Sequence, residues 1–252
     1  MQSIYKIAIE KLPGIASYCI DQVLCNMASL ALRRALRKGK NVAEQLREVS
    51  ARVSAIAPHN SRMYIYYHQH TKSALVYIAS CLDLCQLAEP QIGGGSIWTT
   101  LTSTDPFGLY LSASYEMLEK AKASLKLAIV CVDWMDLCSA YTKNAFHVTK
   151  LIEVVREART HKAQLSEVDM KALAECDAAV SCAYHIWCKA GAWMTSLECH
   201  IQYQNSEDDA REIEIPSHEE VIQLIKESNE ACAQIETYVL VAEKILAGAL
   251  AS

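Results

Sequence analysis

Turn-forming residues are scarce in this chain of 252 residues, which has only eight glycines and five prolines. Aromatic residues are also few, at 7%, and two phenylalanines stand against twelve tyrosines. A β-sandwich of this length would need many more turn residues between its strands, so the scarcity argues against an all-β class. Because 52% of the residues are hydrophobic, the chain can still bury a sizeable core, and this excludes disorder as its main state.

Signatures of common enzymes and metal sites are missing as well. The sequence has no P-loop, no Gly-x-Ser-x-Gly, no His-Glu-x-x-His and no Glu-x-x-His of the di-iron bundles. No run approaches the roughly 18 uncharged apolar residues that would indicate a transmembrane helix. These missing signatures favour a protein that is not an enzyme, with no cofactor, no bound metal and no transmembrane segment.

Cysteines are abundant but not arranged for disulfides or metals. All eleven fall in segments with helical periodicity, and none belongs to a CxxC pair. Reduced cysteine behaves as a small buried hydrophobe, so we expect free thiols and an intracellular, reducing, cytoplasmic setting. Cys182, His185 and Cys188 are zinc-ligand types at steps of three, but they spread too far around a helix to converge on one ion.

Hydrophobic periodicity predicts an all-α fold of about six or seven helices. The expected helices cover residues 2–11, 13–38, 41–57, 60–88, 107–159, 166–204 and 217–252, with residues 143–144 as the place for a bend or break in the fifth. Gly39 would end the second helix and Asn41 would cap the third. Ser166 with Asp169, and Ser217 with Glu220, have the spacing of capping boxes.

Apolar residues in these segments repeat at alternating steps of three and four. The segment from Leu173 to Ile201 keeps this repeat without a break, and so does the segment from Val221 to Ala249. Such a repeat has a period of 3.5 residues and is typical of left-handed, coiled-coil-like packing. We therefore predict an elongated antiparallel helical bundle.

Charge divides the chain into three parts. Residues 1–88 are a basic helical part with a net charge of +6, and residues 107–252 are an acidic helical bundle with a net charge of −9. Residues 89–106 between them form a flexible Gly/Ser/Thr-rich loop, either a lid or a lobe boundary, although the whole chain can also be one continuous domain. Opposite charge in the two halves favours a protein partner or head-to-tail self-association.

Two acids in an apolar helix are the weak candidates for catalysis. Asp133 and Asp136 are one helical turn apart among apolar neighbours, so their carboxyls should share a face, with raised pKa values or a paired partner. Asp83 is the candidate for a second acidic group, as bundle active sites require. The alternative is a buried acid paired with a lysine or a tyrosine hydroxyl, or one that faces a partner.

A basic stretch offers a binding site for an anionic partner. It consists of Arg33, Arg34, Arg37, Lys38, Lys40 and Arg62. Tyr64, Tyr66 and Tyr67 follow, and cations beside stackable rings suit single-stranded nucleic acid or a phosphorylated ligand. The alternative is a solvated basic helix end.

Three functions remain open on the sequence alone. We favour a helical interaction or scaffold protein that binds other proteins or self-associates. The first alternative is nucleic-acid or phosphorylated-ligand binding by the basic region 33–70. The second is a helical-bundle enzyme or small-molecule binder with a buried site at Asp133 and Asp136.

Overall fold

The computed structural model describes residues 14–55, 62–92, 106–204 and 214–251. Within these ranges the chain forms α-helices and two short 3-10 turns, and no strand occurs in them. The helices are α1 (Gly14–Ala55), α2 (Arg62–Ala88), α3 (Pro106–Thr160), α4 (Glu167–Gln204) and α5 (His218–Ala251), and the 3-10 turns are Glu89–Gln91 and Lys162–Gln164. The predicted all-α class is confirmed, with five helices in the described ranges instead of six or seven.

The predicted helix end at Gly39 is wrong, and of the bend or break predicted at residues 143–144 the break is wrong. One predicted helix lies outside the described residues. α1 is a single helix of 42 residues that continues through Gly39, and α3 is a single helix of 55 residues without a break at Asn144. Gly39 and Asn144 are both buried. At Gly39 the packing of the helix outweighs the roughly 1 kcal/mol that a glycine costs in a helix interior. The expected helix 2–11 and most of the two expected loops (93–105 and 205–213) are not among the described residues.

Buried positions follow alternating steps of four and three along the helices. On α1 they form a continuous row, here called the inner stripe: Ala28, Leu32, Ala35, Gly39, Val42, Leu46, Val49 and Val53. Small residues prevail in the first half of this row, and valine and leucine fill the second half. On α1, therefore, the buried face has the 4-3 spacing that the hydrophobic repeat predicts.

The chain divides into two compact units that share three helices. Unit 1 comprises Met1–Ala51 and His68–Lys126, and unit 2 comprises Arg52–Tyr67 and Leu127–Ser252. α1, α2 and α3 each contribute residues to both units, whereas α4 and α5 belong to unit 2 alone.

Within unit 2, α3 and α4 run antiparallel. The ring centroids of Tyr141 on α3 and Trp187 on α4 lie 5.4 Å apart. One end of the same pair is joined by an ion pair between Arg159, later on α3, and Asp177, earlier on α4. This is the direction that a short connection of 3-10 turn and cap imposes on consecutive helices.

α5 returns parallel to α3 in the same unit. Asn144 Nδ2 lies 3.4 Å from Ser228 Oγ, and further along both helices Lys150 Nζ lies 2.9 Å from Glu243 Oε1. Leu151, Leu173 and Ile235 meet in the apolar core that the three helices enclose. Unit 2 therefore contains a three-helix bundle in which consecutive helices are antiparallel.

Both predicted capping boxes are present. At the start of α4, Asp169 Oδ2 accepts a hydrogen bond from the backbone N–H of Ser166 at 3.0 Å, and Ser166 Oγ accepts one from the N–H of Asp169 at 3.2 Å. At the start of α5, Glu220 and Ser217 exchange the same pair of bonds, at 2.7 and 3.2 Å. Each box satisfies two backbone donors that the first helical turn leaves unpaired.

We expect Gly39→Ala to stabilise the protein by about 0.5–1 kcal/mol, because alanine lowers the backbone entropy that a helix interior costs. A Cβ at Gly39 would lie 4.0 Å from Cys81 Sγ, an ordinary contact. Gly191→Ala is the matched control, since its Cβ would lie 3.2 Å from the Tyr141 ring and force that ring to move. Urea unfolding checks the pair, and an equal gain for both variants would contradict this account.

Candidate functional site

The middle of α3 is buried on several sides at once. Val130, Cys131, Val132 and Asp133 are consecutive and all buried, whereas a helix at a surface buries only one stripe. The side chain of Asp133 is only 4% exposed. A carboxyl in such a place needs a partner, because the cost of burying an unpaired charge is prohibitive.

Arg52, near the end of α1, joins the two acids of α3. Its Nη2 lies 3.0 Å from Asp133 Oδ1 and 2.5 Å from Asp136 Oδ2. The two carboxyls reach one guanidinium because they are one helical turn apart. The pairing of Asp133 and Asp136 on one face is thus as the sequence suggested, but Asp133 is the more buried of the two, and Asp136 is only half-buried.

His218, the first residue of α5, completes the cluster. Its Nδ1 lies 2.8 Å from Asp133 Oδ1 and 2.9 Å from Asp133 Oδ2. The capping box of Ser217 and Glu220 fixes the start of α5 and so holds the imidazole in place. We call Arg52, Asp133, Asp136 and His218 the charged cluster.

The pKa values in the charged cluster are set by burial and by the ion pairs. Burial raises the pKa of Asp133 above its usual value, although the hydrogen bonds and charges of His218 and Arg52 act against this. Burial alone would lower the pKa of Arg52, but hydrogen bonds to Asp136 and Asp133 raise it overall. Burial, with a smaller contribution from Asp133, raises the pKa of the adjacent Cys131 thiol to about 12.

The charged cluster links three helices, because Arg52 belongs to α1, the two aspartates to α3 and His218 to α5. His218 Nδ1 contacts both oxygens of Asp133, and Arg52 contacts one of them, so each carboxyl oxygen has a partner. Its partners are an arginine and a histidine, not the lysine or tyrosine that the sequence suggested. Asp83 is exposed on the part of α2 that belongs to unit 1, whereas the charged cluster belongs to unit 2.

The predicted basic residues lie on the surface. Arg33, Arg34, Arg37, Lys38 and Lys40 are exposed on α1 within unit 1, and Arg62 is exposed at the start of α2 within unit 2. Lys38 Nζ lies over the ring of Tyr115, 5.4 Å from its centroid. Arg33, Arg34, Arg37 and Lys40 have no ion pair with any residue that the structure describes.

The tyrosines expected beside these cations have rings that are buried or half-buried. Tyr67 is buried, and Tyr64 and Tyr66 are half-buried. The ring centroids of Tyr64 and Tyr67 lie 6.4 Å apart, with the two rings tilted against each other. Base stacking needs exposed ring faces, so this arrangement lends little support to single-stranded nucleic acid.

A second row on α1, missed in the sequence, is exposed. It also follows steps of four and three and lies roughly 140° around the helix from the inner stripe. We call it the outer stripe: Val23, Met27, Leu30, Arg34, Arg37, Asn41, Glu44 and Glu48. Val23, Met27 and Leu30 are 55%, 57% and 49% exposed. The signal was present, because the spacing of these three aliphatic residues continues into Arg34 and Arg37.

Potential metal ligands do not cluster in the described ranges. No group of three His, Cys, Asp or Glu side chains there has the geometry to hold a metal ion. Cys182, His185 and Cys188 are all exposed on α4. The ten cysteines whose side chains are described are free.

Comparisons and hydropathy add two findings. None of the described helices combines the length and the apolar character needed to span a lipid bilayer. Comparisons of the chain with protein-family models, with curated proteins and with solved structures found no significant match.

Proposed function

We propose that this protein is a helical interaction or scaffold protein that binds another protein, or a second copy of itself, along the outer stripe of α1. The observation that supports this most directly is the exposure of Val23, Met27 and Leu30 at helical spacing. Burying one such side chain completely is worth about 1.5–3 kcal/mol, and a row of three in line suits a helix laid along it. The inner stripe already serves the fold, so the outer stripe is available for a partner.

The proposal extends to how the bundle packs and where it works. The 4-3 spacing of the buried positions supports coiled-coil-like packing, and residues 2–11 would add a sixth helix. Free cysteines support a reducing, intracellular and cytoplasmic setting.

Burial also raises the pKa of the Cys81 thiol to about 11, and Cys85 contributes to this rise. The raised pKa keeps this thiol protonated and unreactive.

Nucleic-acid or phosphorylated-ligand binding is the second candidate. It is favoured by the exposed cations of α1, which have no carboxylate partner among the described residues. The aliphatic residues in line with these cations count against it, since they offer nothing to a phosphate. The enzymatic alternative at Asp133 and Asp136 has less support, because Arg52 and His218 occupy Asp133.

Site-specific photo-cross-linking tests the proposed function. With benzoylphenylalanine at position 30, we expect a discrete adduct in cells, and mass spectrometry will show whether it contains a second copy or another protein. Adding Met27→Glu should remove the adduct, because it buries a charge in the contact. The melting temperature should stay within the small change typical of surface substitutions.

Ala123, an exposed residue of α3 in unit 1, provides the control position. The same cross-linker there should give no adduct that depends on Met27. Equal adducts from positions 30 and 123, or an adduct at position 30 that survives Met27→Glu, would refute a contact through the outer stripe.

A further inference from the structure

The outer stripe changes character along α1 in a fixed order. It begins with the aliphatic Val23, Met27 and Leu30, continues with Arg34 and Arg37, and ends with the acidic residues Glu44 and Glu48. Arg33, Lys38 and Lys40 are exposed beside the middle section and widen it into a basic face. A ligand that fits must therefore be apolar at one end and anionic in the middle.

The two terminal acids limit how far an anionic ligand can extend. Glu44 and Glu48 would repel carboxylates placed over them, so the anionic contact should stop near Asn41. From Val23 to Asn41 the helix rises about 27 Å, at 1.5 Å per residue. This length corresponds to a partner helix of fewer than three heptads.

We infer that the outer stripe binds an acidic amphipathic helix of a different protein, whose aliphatic end covers Val23, Met27 and Leu30 and whose carboxylates pair with Arg34, Arg37 and the cations beside them. This inference rests on the proposed function and names the class of partner. Exposed cations attract the acidic helix and set its direction, while the aliphatic contact supplies most of the affinity.

A second copy of α1 is a poor occupant of the same stripe. Parallel pairing would place the cations at residues 33–40 of both copies against each other. Antiparallel pairing centred on Gly39 would bring Arg34 opposite Glu44, which is favourable, but it would also bring Leu30 opposite Glu48. Parallel pairing covers the aliphatic residues but sets the cations against each other, and this antiparallel pairing leaves Leu30 opposite an acid, so a separate partner fits better.

Binding of designed peptides to the full chain, followed by fluorescence anisotropy, tests the inference. The probe is a labelled peptide of about 18 residues with leucines at heptad positions a and d and glutamates at e and g. We expect saturable binding that weakens as salt increases, because the ion pairs are exposed. A peptide with lysines at e and g, and an acidic peptide with serines at a and d, should each bind at least about tenfold more weakly.

Protein variants test whether the peptides bind the outer stripe and separate its ionic contacts from its aliphatic contacts. Arg34→Glu with Arg37→Glu should abolish the preference for the acidic peptide, and Met27→Glu should weaken both leucine-containing peptides. Arg156→Glu with Lys171→Glu is the control of equal charge change, on exposed residues of α3 and α4 in unit 2, and should leave binding unchanged.

The outcomes separate the inference from the proposed function. Equal binding of the glutamate and lysine peptides, lost in Met27→Glu, would overturn the acidic partner and leave the interaction function standing. Light scattering that shows self-association lost in Met27→Glu would assign the stripe to a second copy and also overturn the inference. A labelled single-stranded oligonucleotide that binds more tightly than the acidic peptide and is insensitive to Met27→Glu would overturn both.

Discussion

Replacing Arg52 with methionine is expected to lower the free energy of unfolding by about 3 kcal/mol. Breaking a buried ion pair costs about 3–5 kcal/mol because the remaining charge stays buried, and the partly exposed guanidinium places this case at the lower end. Most of the loss arises at Asp133, because its side chain is 4% exposed and its carboxyl would keep only His218 as a partner. Denaturation in urea, followed by circular dichroism, measures the loss.

Arg47→Met serves as the matched control for Arg52→Met. Arg47 is exposed on the same helix, so its removal should change stability by no more than about 0.5 kcal/mol. A triple variant, Arg52→Met with Asp133→Leu and Asp136→Leu, should recover most of the loss, because apolar replacement of a whole buried ion-pair group is often neutral or stabilising. Equal stability of the Arg52 and Arg47 variants would show that the ion pairs of Arg52 contribute nothing to stability.

Helical class and burial could be read from the sequence because both depend on local periodicity. Most positions of the rows ending in Ile201 and Ala249 are buried, as their 4-3 spacing indicates. The exceptions are half-buried, namely Val180, Trp187, Met194, Tyr238 and Ile245. Helix ends were less predictable, since a glycine is a stop signal only where no partner packs against it. Gly39 lies on the inner stripe and close to Cys81, so the helix continues through it.

The charged cluster could be predicted only in part. The spacing of Asp133 and Asp136 indicated a shared face, which depends on one helix alone. Arg52 and His218 are 81 and 85 residues away in sequence from Asp133, and no periodicity links such distant positions. The greater burial of Asp133 also has a tertiary cause, because neighbours cover α3 there on several sides.

The outer stripe was visible in the sequence only as its basic half. Cations attract notice as a cluster, whereas Val23, Met27 and Leu30 look like ordinary core residues of an amphipathic helix. Their exposure follows from the choice of Ala28, Leu32 and Ala35 as the buried side. That choice depends on which row the other helices contact, which the sequence of α1 does not contain.

Asp133→Asn is expected to remove the pH dependence that this residue contributes to stability. Burial raises the pKa of Asp133 in the folded protein above the ordinary value of 3.8, so the folded state binds this proton more tightly than the unfolded state. Its contribution is therefore fully present below about pH 3.8 and is lost as pH rises through the raised pKa. Asparagine has no such titration, so it should gain stability relative to aspartate as pH rises.

Asp169→Asn provides a control of opposite sign. Hydrogen bonds from the Ser166 side chain and backbone lower the pKa of Asp169, so its contribution is present above about pH 3.8 and is lost as pH falls through the lowered pKa. Urea unfolding of the wild type and both variants at a series of pH values gives the two differences directly. If the stability difference between wild type and Asp133→Asn is constant across the range above pH 3.8, burial does not control this carboxyl, and the ion pairs with Arg52 and His218 fully offset its desolvation.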